Sequence, residues 1–134
     1  MLSKVENDIM PNVILKRKIS IPIFPASLTV MVVRETVPAY QRIVKARKCR
    51  PDRNKIDDAH CAALCWRFGG EIYVAFAKDS VSHYYITHEL KHAADGIFAF
   101  LEAKPASEIY EYLIGYLASR VYRLLKKNKI RLHK

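Results

Sequence analysis

The sequence predicts an α+β fold in which a small, mostly antiparallel sheet packs against a motif helix and a C-terminal helix. The strand-like segments all end by Ala77, and two longer segments with apolar residues at helical spacing follow from about Val81. The chain has 134 residues, of which 51% are hydrophobic and 27% charged. This length predicts one domain over residues 1–134, and the composition is too apolar for intrinsic disorder.

Two segments near the start of the chain have the composition of strands. Residues 12–24 are extended, because isoleucines alternate there with polar or small residues, and Ser27–Val33 is a run rich in β-branched residues. Pro38 predicts a short helix over residues 38–48, since a proline in the first turn costs no hydrogen bond. Residues 49–58 are polar and predict a loop.

Gly69 and Gly70 indicate a hairpin between residues 59–68 and Glu71–Ala77. We expect the second arm to be an edge strand that binds an extended peptide by adding it to the sheet. A helix follows from about Val81, and a second begins near Ser107, a suitable N-cap. The apolar positions of this last helix recur at three and four residues: Ile109, Leu113, Leu117, Val121 and Leu124.

Charge and cysteine content narrow the class of protein. The net charge is +10, and a field of this sign attracts nucleic acid or acidic proteins. Basic residues cluster at 34–55 and 120–134, and from about residue 126 they predict a basic C-terminal tail. No apolar run approaches the ~20 residues that span a bilayer, so we expect no membrane partner. Three cysteines and no secretory signal predict a cytoplasmic protein.

His88, Glu89 and His92 form an HExxH motif. Residues four apart lie on the same face of a helix, so both imidazoles can point at one ion. Zinc accepts imidazole nitrogens, and a catalytic zinc site keeps one position open for water. Glu89 is the next residue of the helix after His88 and can take a proton from that water. The motif therefore predicts a zinc-dependent hydrolase with two histidine ligands and Glu89 as the catalytic base.

A catalytic zinc site needs a third protein ligand. The metzincin pattern is excluded, because the position six residues after the second histidine is not a histidine. The remaining carboxylates nearby are Asp95, Glu102, Glu108 and Glu111. A straight helix to Glu102 would carry the chain away from the metal, so we expect Gly96 to bend or end the motif helix. Asp95 is alternatively an acceptor that orients an imidazole.

Two sequence motifs, ITHELKHA and EIYEYLIGYL, follow one another in the C-terminal half of the chain. Together they resemble a family of small metallopeptidases encoded by phages and prophages. The resemblance implies a minimal zincin-like fold of the gluzincin type, one bound zinc and hydrolysis of peptide bonds in the host cytoplasm. It favours Glu108 over Glu111 as the third ligand. Tyr112 and Gly115 suit a helix packed closely against the motif helix.

The clusters of basic residues support a different function. In this alternative, the chain is a basic, phage-encoded binding protein that engages nucleic acid or an acidic host protein. The zinc site is then structural or vestigial. Contacts with phosphates would make the affinity fall steeply with salt concentration.

Overall fold

A computed structural model describes residues 12–22, 24–56, 61–103 and 108–133. The predicted N-cap Ser107 and the first two residues of the predicted hairpin lie outside these described residues. The strands are β1 Val13–Ser20, β2 Ser27–Val33, β3 Ala63–Phe68 and β4 Glu71–Ala77. The helices are α1 Thr36–Ala46, α2 Arg53–Ile56, α3 His83–Phe100 and α4 Glu108–Lys127, with a 3₁₀ turn at Lys78–Ser80. The predicted α+β class is confirmed.

The four strands form one mixed sheet in the order β1-β2-β4-β3. The outer pairs β1–β2 and β3–β4 are antiparallel, whereas the central pair β2–β4 is parallel. The predicted bounds of β2 and β4 are confirmed. The prediction that β4 is an edge strand is wrong, because β2 and β3 flank it and its residues 72–76 are all buried. The strand at that edge is β3.

Helices cover both faces of the sheet, and this explains why the central strands β2 and β4 are buried along almost their whole length. One face packs against α3 and α4, and its largest fully buried side chains include Leu28, Ile72 and Phe76. The other face packs against α1 through Met31 and Val33. The sheet therefore carries two hydrophobic cores.

The helix α1 begins at Thr36, two residues before the predicted start, and the polar segment after it contains the single turn α2. Tyr40 of α1 accepts a hydrogen bond through its hydroxyl oxygen from the backbone N–H of Asp52, at 2.7 Å. Asp52 Oδ1 in turn accepts from the backbone N–H of Asn54, at 2.9 Å. These two bonds hold the segment before β3 against α1.

The motif helix α3 begins after Ser82, whose Oγ accepts a hydrogen bond from the backbone N–H of Tyr85. It runs without interruption through Gly96 to Phe100, so the prediction that it ends at this glycine is wrong. The glycine instead allows close packing on the sheet. A Cβ atom at Gly96 would lie 3.2 Å from Arg67 Cδ and 3.3 Å from Ile72 Cδ1.

The last helix, α4, packs on the sheet and α3 through side chains at every fourth residue. These are Leu113, Leu117, Val121 and Leu125. The predicted stripe is partly wrong, because Ile109 is 56% exposed and Leu125 takes the buried place expected for Leu124. The expected close packing at Tyr112 and Gly115 is also wrong. Tyr112 is 74% exposed, and the space where Gly115 would carry a Cβ is open.

The residues after α4 return to the beginning of α3. Ile130 and Leu132 pack against the core, and the backbone N–H of His133 donates to the carbonyl of Val81 at 2.6 Å. Lys126 and Lys127, where the basic tail was expected to begin, belong to α4. None of the helices in the described part of the chain combines the length and the apolar character needed to cross a membrane.

Candidate metal centre

His88 and His92 lie one turn apart on the exposed side of α3. Their rings are 4.7 Å apart between centroids, and the two Nε2 atoms are separated by 3.1 Å. Ligand atoms of His88, Glu89 and His92 all lie within 4.8 Å of one another. The structure therefore confirms that the motif forms a group able to hold a metal ion.

Aromatic contacts surround the start of the motif helix. The ring of Tyr84 stacks on the ring of His88, with centroids 5.9 Å apart and an interplanar angle of 22°. His83 Nδ1 and the hydroxyl of Tyr122 share a hydrogen bond of 2.7 Å, which joins the first turn of α3 to α4. These contacts restrict the orientation of the helix turn and of the first motif histidine.

Glu89 points away from solvent toward β3, with only 5% of its surface exposed. Its Oε2 atom is buried and has no hydrogen-bond partner among the described residues. Burial raises the pKa of Glu89, although the charges of His88, His92 and Lys55 act in the opposite direction. Cys65 of β3 lies close by, and burial together with the charge of Glu89 raises the pKa of its thiol to about 12.

The three side chains fit a zinc ion by three criteria. Two imidazole nitrogens and a carboxylate are ligand types that zinc accepts. Two nitrogens bound at about 2.0–2.1 Å in a tetrahedral arrangement lie about 3.3–3.4 Å apart, close to the 3.1 Å between the two Nε2 atoms. A buried carboxylate oxygen without a partner is costly, and a water or ion beside it would satisfy it.

The predicted third ligand, Glu108, is exposed at the first residue of α4. The helices α3 and α4 run antiparallel, because Asp95 contacts Tyr110 while His83 contacts Tyr122. Residue 113 is thus level with His92, and Glu108 lies about 7–8 Å further along the axis. Within the described residues, the metal-binding group includes neither this glutamate nor its alternative at position 111. The assignment of Glu108 stays a prediction.

Asp95 has contacts other than the expected one with an imidazole. Its Oδ1 atom accepts a hydrogen bond from the hydroxyl of Tyr110, and its Oδ2 atom lies 3.2 Å from Lys91 Nζ. The ring of Tyr110 also packs edge-on against Phe98, with centroids 5.3 Å apart. Asp95 therefore links α3 to α4.

We expect Tyr110→Phe to lower the free energy of unfolding by about 1 kcal/mol at pH 7, because the bond to a charged but partly exposed acceptor is lost. Burial and the bond to Asp95 raise the pKa of Tyr110 to about 12. The unfolded tyrosine loses its proton near pH 10, so this contribution is complete below pH 10 and disappears as the pH rises toward 12.

Urea denaturation of both proteins between pH 7 and 12 measures this difference. The difference in free energy of unfolding between the two proteins should narrow over the last two pH units, up to pH 12, since the phenylalanine variant has no proton to lose at this position. A difference that stays constant to pH 12 would show that the tyrosine proton does not contribute.

A groove of about 590 Å³ runs along β3 from the candidate metal centre. Glu89, His92 and Gly96 of α3 form one wall, and residues of α1 and of the segment around α2 form another. This groove was not predicted from the sequence. Alternation along β3 places Cys65 and Arg67 on one face, but only the strand order shows that this face borders an open edge.

Comparisons of this chain with protein-family models, with curated proteins and with solved structures found no match. Its function is therefore inferred from the geometry of the site and the chemistry of its side chains. The group formed by His88, Glu89 and His92 is the feature with the most specific chemistry.

Proposed function

We propose that the chain is a zinc-dependent hydrolase of peptide bonds, a metallopeptidase of the gluzincin type. The observation that carries this proposal is the convergence of the Nε2 atoms of His88 and His92, with the carboxylate of Glu89 beside them. The resemblance of both helices to small phage metallopeptidases supports the same function. Zinc held by the two histidines would lower the pKa of a water and polarise a carbonyl group.

Glu89 acts as the base and then as the acid in this proposal. Its carboxylate takes one proton from the attacking water, whose oxygen bonds to the carbonyl carbon of the peptide. The same carboxyl then gives the proton to the nitrogen as the C–N bond breaks, so the products are an amine and a carboxylic acid that keeps the second proton of the water. The buried position of Glu89 suits this role, because few other groups compete for its free oxygen.

The groove beside β3 is the proposed place for the substrate. An extended peptide needs partners for its backbone N–H and C=O groups, and the edge of a sheet supplies them. β3 takes this role instead of the predicted β4, because it is the edge strand next to α3. The main-chain bonds of such an arrangement recognise any sequence, and the side chains of the groove select among them.

Metal titration combined with proteolysis tests the proposal. We expect the purified chain to bind one zinc ion, and we expect the zinc-loaded protein to cleave an unfolded protein such as reduced casein. Replacing a residue that only orients a metal ligand typically lowers metal affinity by roughly 10–100-fold. His88→Ala and His92→Ala should each lower the zinc affinity by more than this, because each removes a ligand. Thiolates are also a ligand type that zinc accepts, so replacing the exposed cysteine in Cys49→Ser serves as the control that keeps both histidines.

The proposal fails if the histidine variants bind zinc as tightly as the wild type. It also fails if the zinc-loaded protein leaves casein and a mixture of random peptides intact. Adding Glu108→Gln to the same titration decides whether this glutamate belongs to the ligand set, since its loss then weakens zinc binding while Glu111→Gln does not.

A further inference from the structure

The outer edge of β3 presents backbone groups next to the candidate metal centre. The carbonyl of Ala62 accepts a hydrogen bond from the backbone N–H of Ala77, at 2.9 Å. Bonded and non-bonded pairs alternate along an antiparallel pair of strands. The backbone groups of Ala63, Cys65 and Arg67 therefore point outward, and no strand in the described part of the chain pairs with them.

The side chains of these residues face α3. Ala63 and Cys65 pack against the core beneath α3, whereas Leu64 and Trp66 belong to the core beneath α1. Side chains alternate between the faces of a sheet, so Arg67 is on the α3 side as well. A peptide strand added at this edge would place every second side chain over the same face, at intervals of about 6.6–6.8 Å.

The side chain of Arg67 contacts the motif helix at Gly96, one turn beyond His92. Its Cδ and Nε atoms lie 3.2 and 3.9 Å from the position that a Cβ of Gly96 would take. Gly96 follows His92 by four residues, a distance of about 6 Å along the helix. Arg67 Nη1 donates to the carbonyl of Gly69 at 3.2 Å, which uses one of the five N–H groups of an exposed guanidinium.

Basic residues outnumber acidic ones by three to two in the lining of the groove. Arg50, Lys55 and Arg67 line it together with two acids, Asp52 and Glu89. Asp52 accepts a hydrogen bond from a backbone N–H through Oδ1, and Glu89 is the proposed base. Lys55 lines the same groove as Glu89, so its charge acts at the proposed catalytic end. An acidic peptide complements this lining better than a basic one.

We propose that Arg67 determines specificity by pairing with an acidic side chain of the extended substrate, two residues away from the substrate residue beside Cys65. This inference rests on the proposed peptidase function. The spacing supports it. Alternate side chains of an extended substrate lie about as far apart as His92 and Gly96 lie along α3, and Arg67 contacts the helix at Gly96. Opposite charges on neighbouring strands attract each other, and Arg binds carboxylates with two parallel hydrogen bonds.

Fluorogenic peptides test the assignment. A cleavage site mapped in casein is copied into peptides that carry Glu, Gln or Lys two residues before or after the scissile bond. For the zinc-loaded wild type, we expect kcat/KM to be roughly three- to ten-fold higher with Glu than with Lys at one of these two positions. Arg67→Glu should reverse the preference, and Arg67→Gln should remove it.

Arg123→Glu is the matched control, because it makes the same change of charge at an exposed position of α4. It should keep the preference for Glu, which separates a local pair from the overall field of the protein. Circular dichroism of each variant shows whether it folds, and Arg67→Gln alone suffices for the test if the charge reversal does not fold.

Binding of the same peptides to the Glu89→Gln variant, measured by fluorescence anisotropy, separates this inference from the proposed function. Cleavage without a preference for Glu, or a preference that survives both changes of Arg67, overturns the role of Arg67 and leaves the peptidase function intact. If none of the peptides is cleaved, the peptidase function is overturned, and the anisotropy measurements then decide the role of Arg67. Equal binding of Glu and Lys peptides, or no binding, counts against it.

Discussion

Glu89→Gln is expected to lower kcat for peptide hydrolysis by about 10²–10⁴-fold while zinc binding stays within a few-fold of the wild type. The amide keeps the size of the side chain but cannot accept a proton from water. The two histidines stay on the same helix turn, with Nε2 atoms that converge independently of this carboxylate. Zinc content and initial rates on one fluorogenic peptide, measured for the same preparation, check both parts of the expectation.

Glu35→Gln provides the matched control. It makes the same chemical change at an exposed residue before α1, away from the candidate metal centre, and should keep the full rate. Hydrolysis that persists in Glu89→Gln at more than about a tenth of the wild-type rate would remove Glu89 from its role as base. A loss of zinc from Glu89→Gln would instead assign the carboxylate to the metal.

Leu90→Ala is expected to reduce the free energy of unfolding by about 2–5 kcal/mol. Leu90 lies between His88 and His92 in the sequence, but the two histidines are exposed, whereas the side chain of Leu90 is fully buried in the core between α3 and the sheet. Truncation removes apolar contacts and leaves a cavity that the packed sheet cannot fill. The measurement is urea denaturation of the metal-free proteins, so that zinc does not add to the stability of either one.

Lys91→Ala tests the same helix from its exposed side. This variant loses a surface ion pair with Asp95, which should cost less than about 1 kcal/mol. A similar small loss for Leu90→Ala would mean that the motif helix is not fixed to the sheet through this leucine. A large loss for Lys91→Ala would mean that the ion pair contributes far more than exposed pairs normally do.

The features that depend on local sequence were predictable. β2 and β4 have the predicted bounds, because their runs of apolar residues end at polar or turn residues on both sides. The grouping of His88 with His92 follows from helix geometry alone, which does not depend on the rest of the fold. Both features depend only on a few residues that are neighbours in the sequence.

The features that depend on distant contacts were not predictable. β4 pairs with β2, and this pairing moves the open edge to β3 and creates the groove there. Gly96 looked like a helix breaker, but the helix continues through it, and the absence of a side chain there leaves room for Arg67 of β3. The buried stripe of α4 includes Leu125 because the angle at which this helix packs selects one of two adjacent leucines.

The parallel pairing of β2 with β4 has a consequence for how the chain reaches this structure. Each residue of β2 pairs with one 44 positions later, as Ser27 does with Glu71. Closing so long a loop costs entropy before any contact compensates it, so we expect this step to limit the rate of folding. The motif helix follows β4 directly in the chain. Its packing surface on the sheet is complete only after this pairing, so we expect the groove that joins the motif helix to β3 to form late in folding.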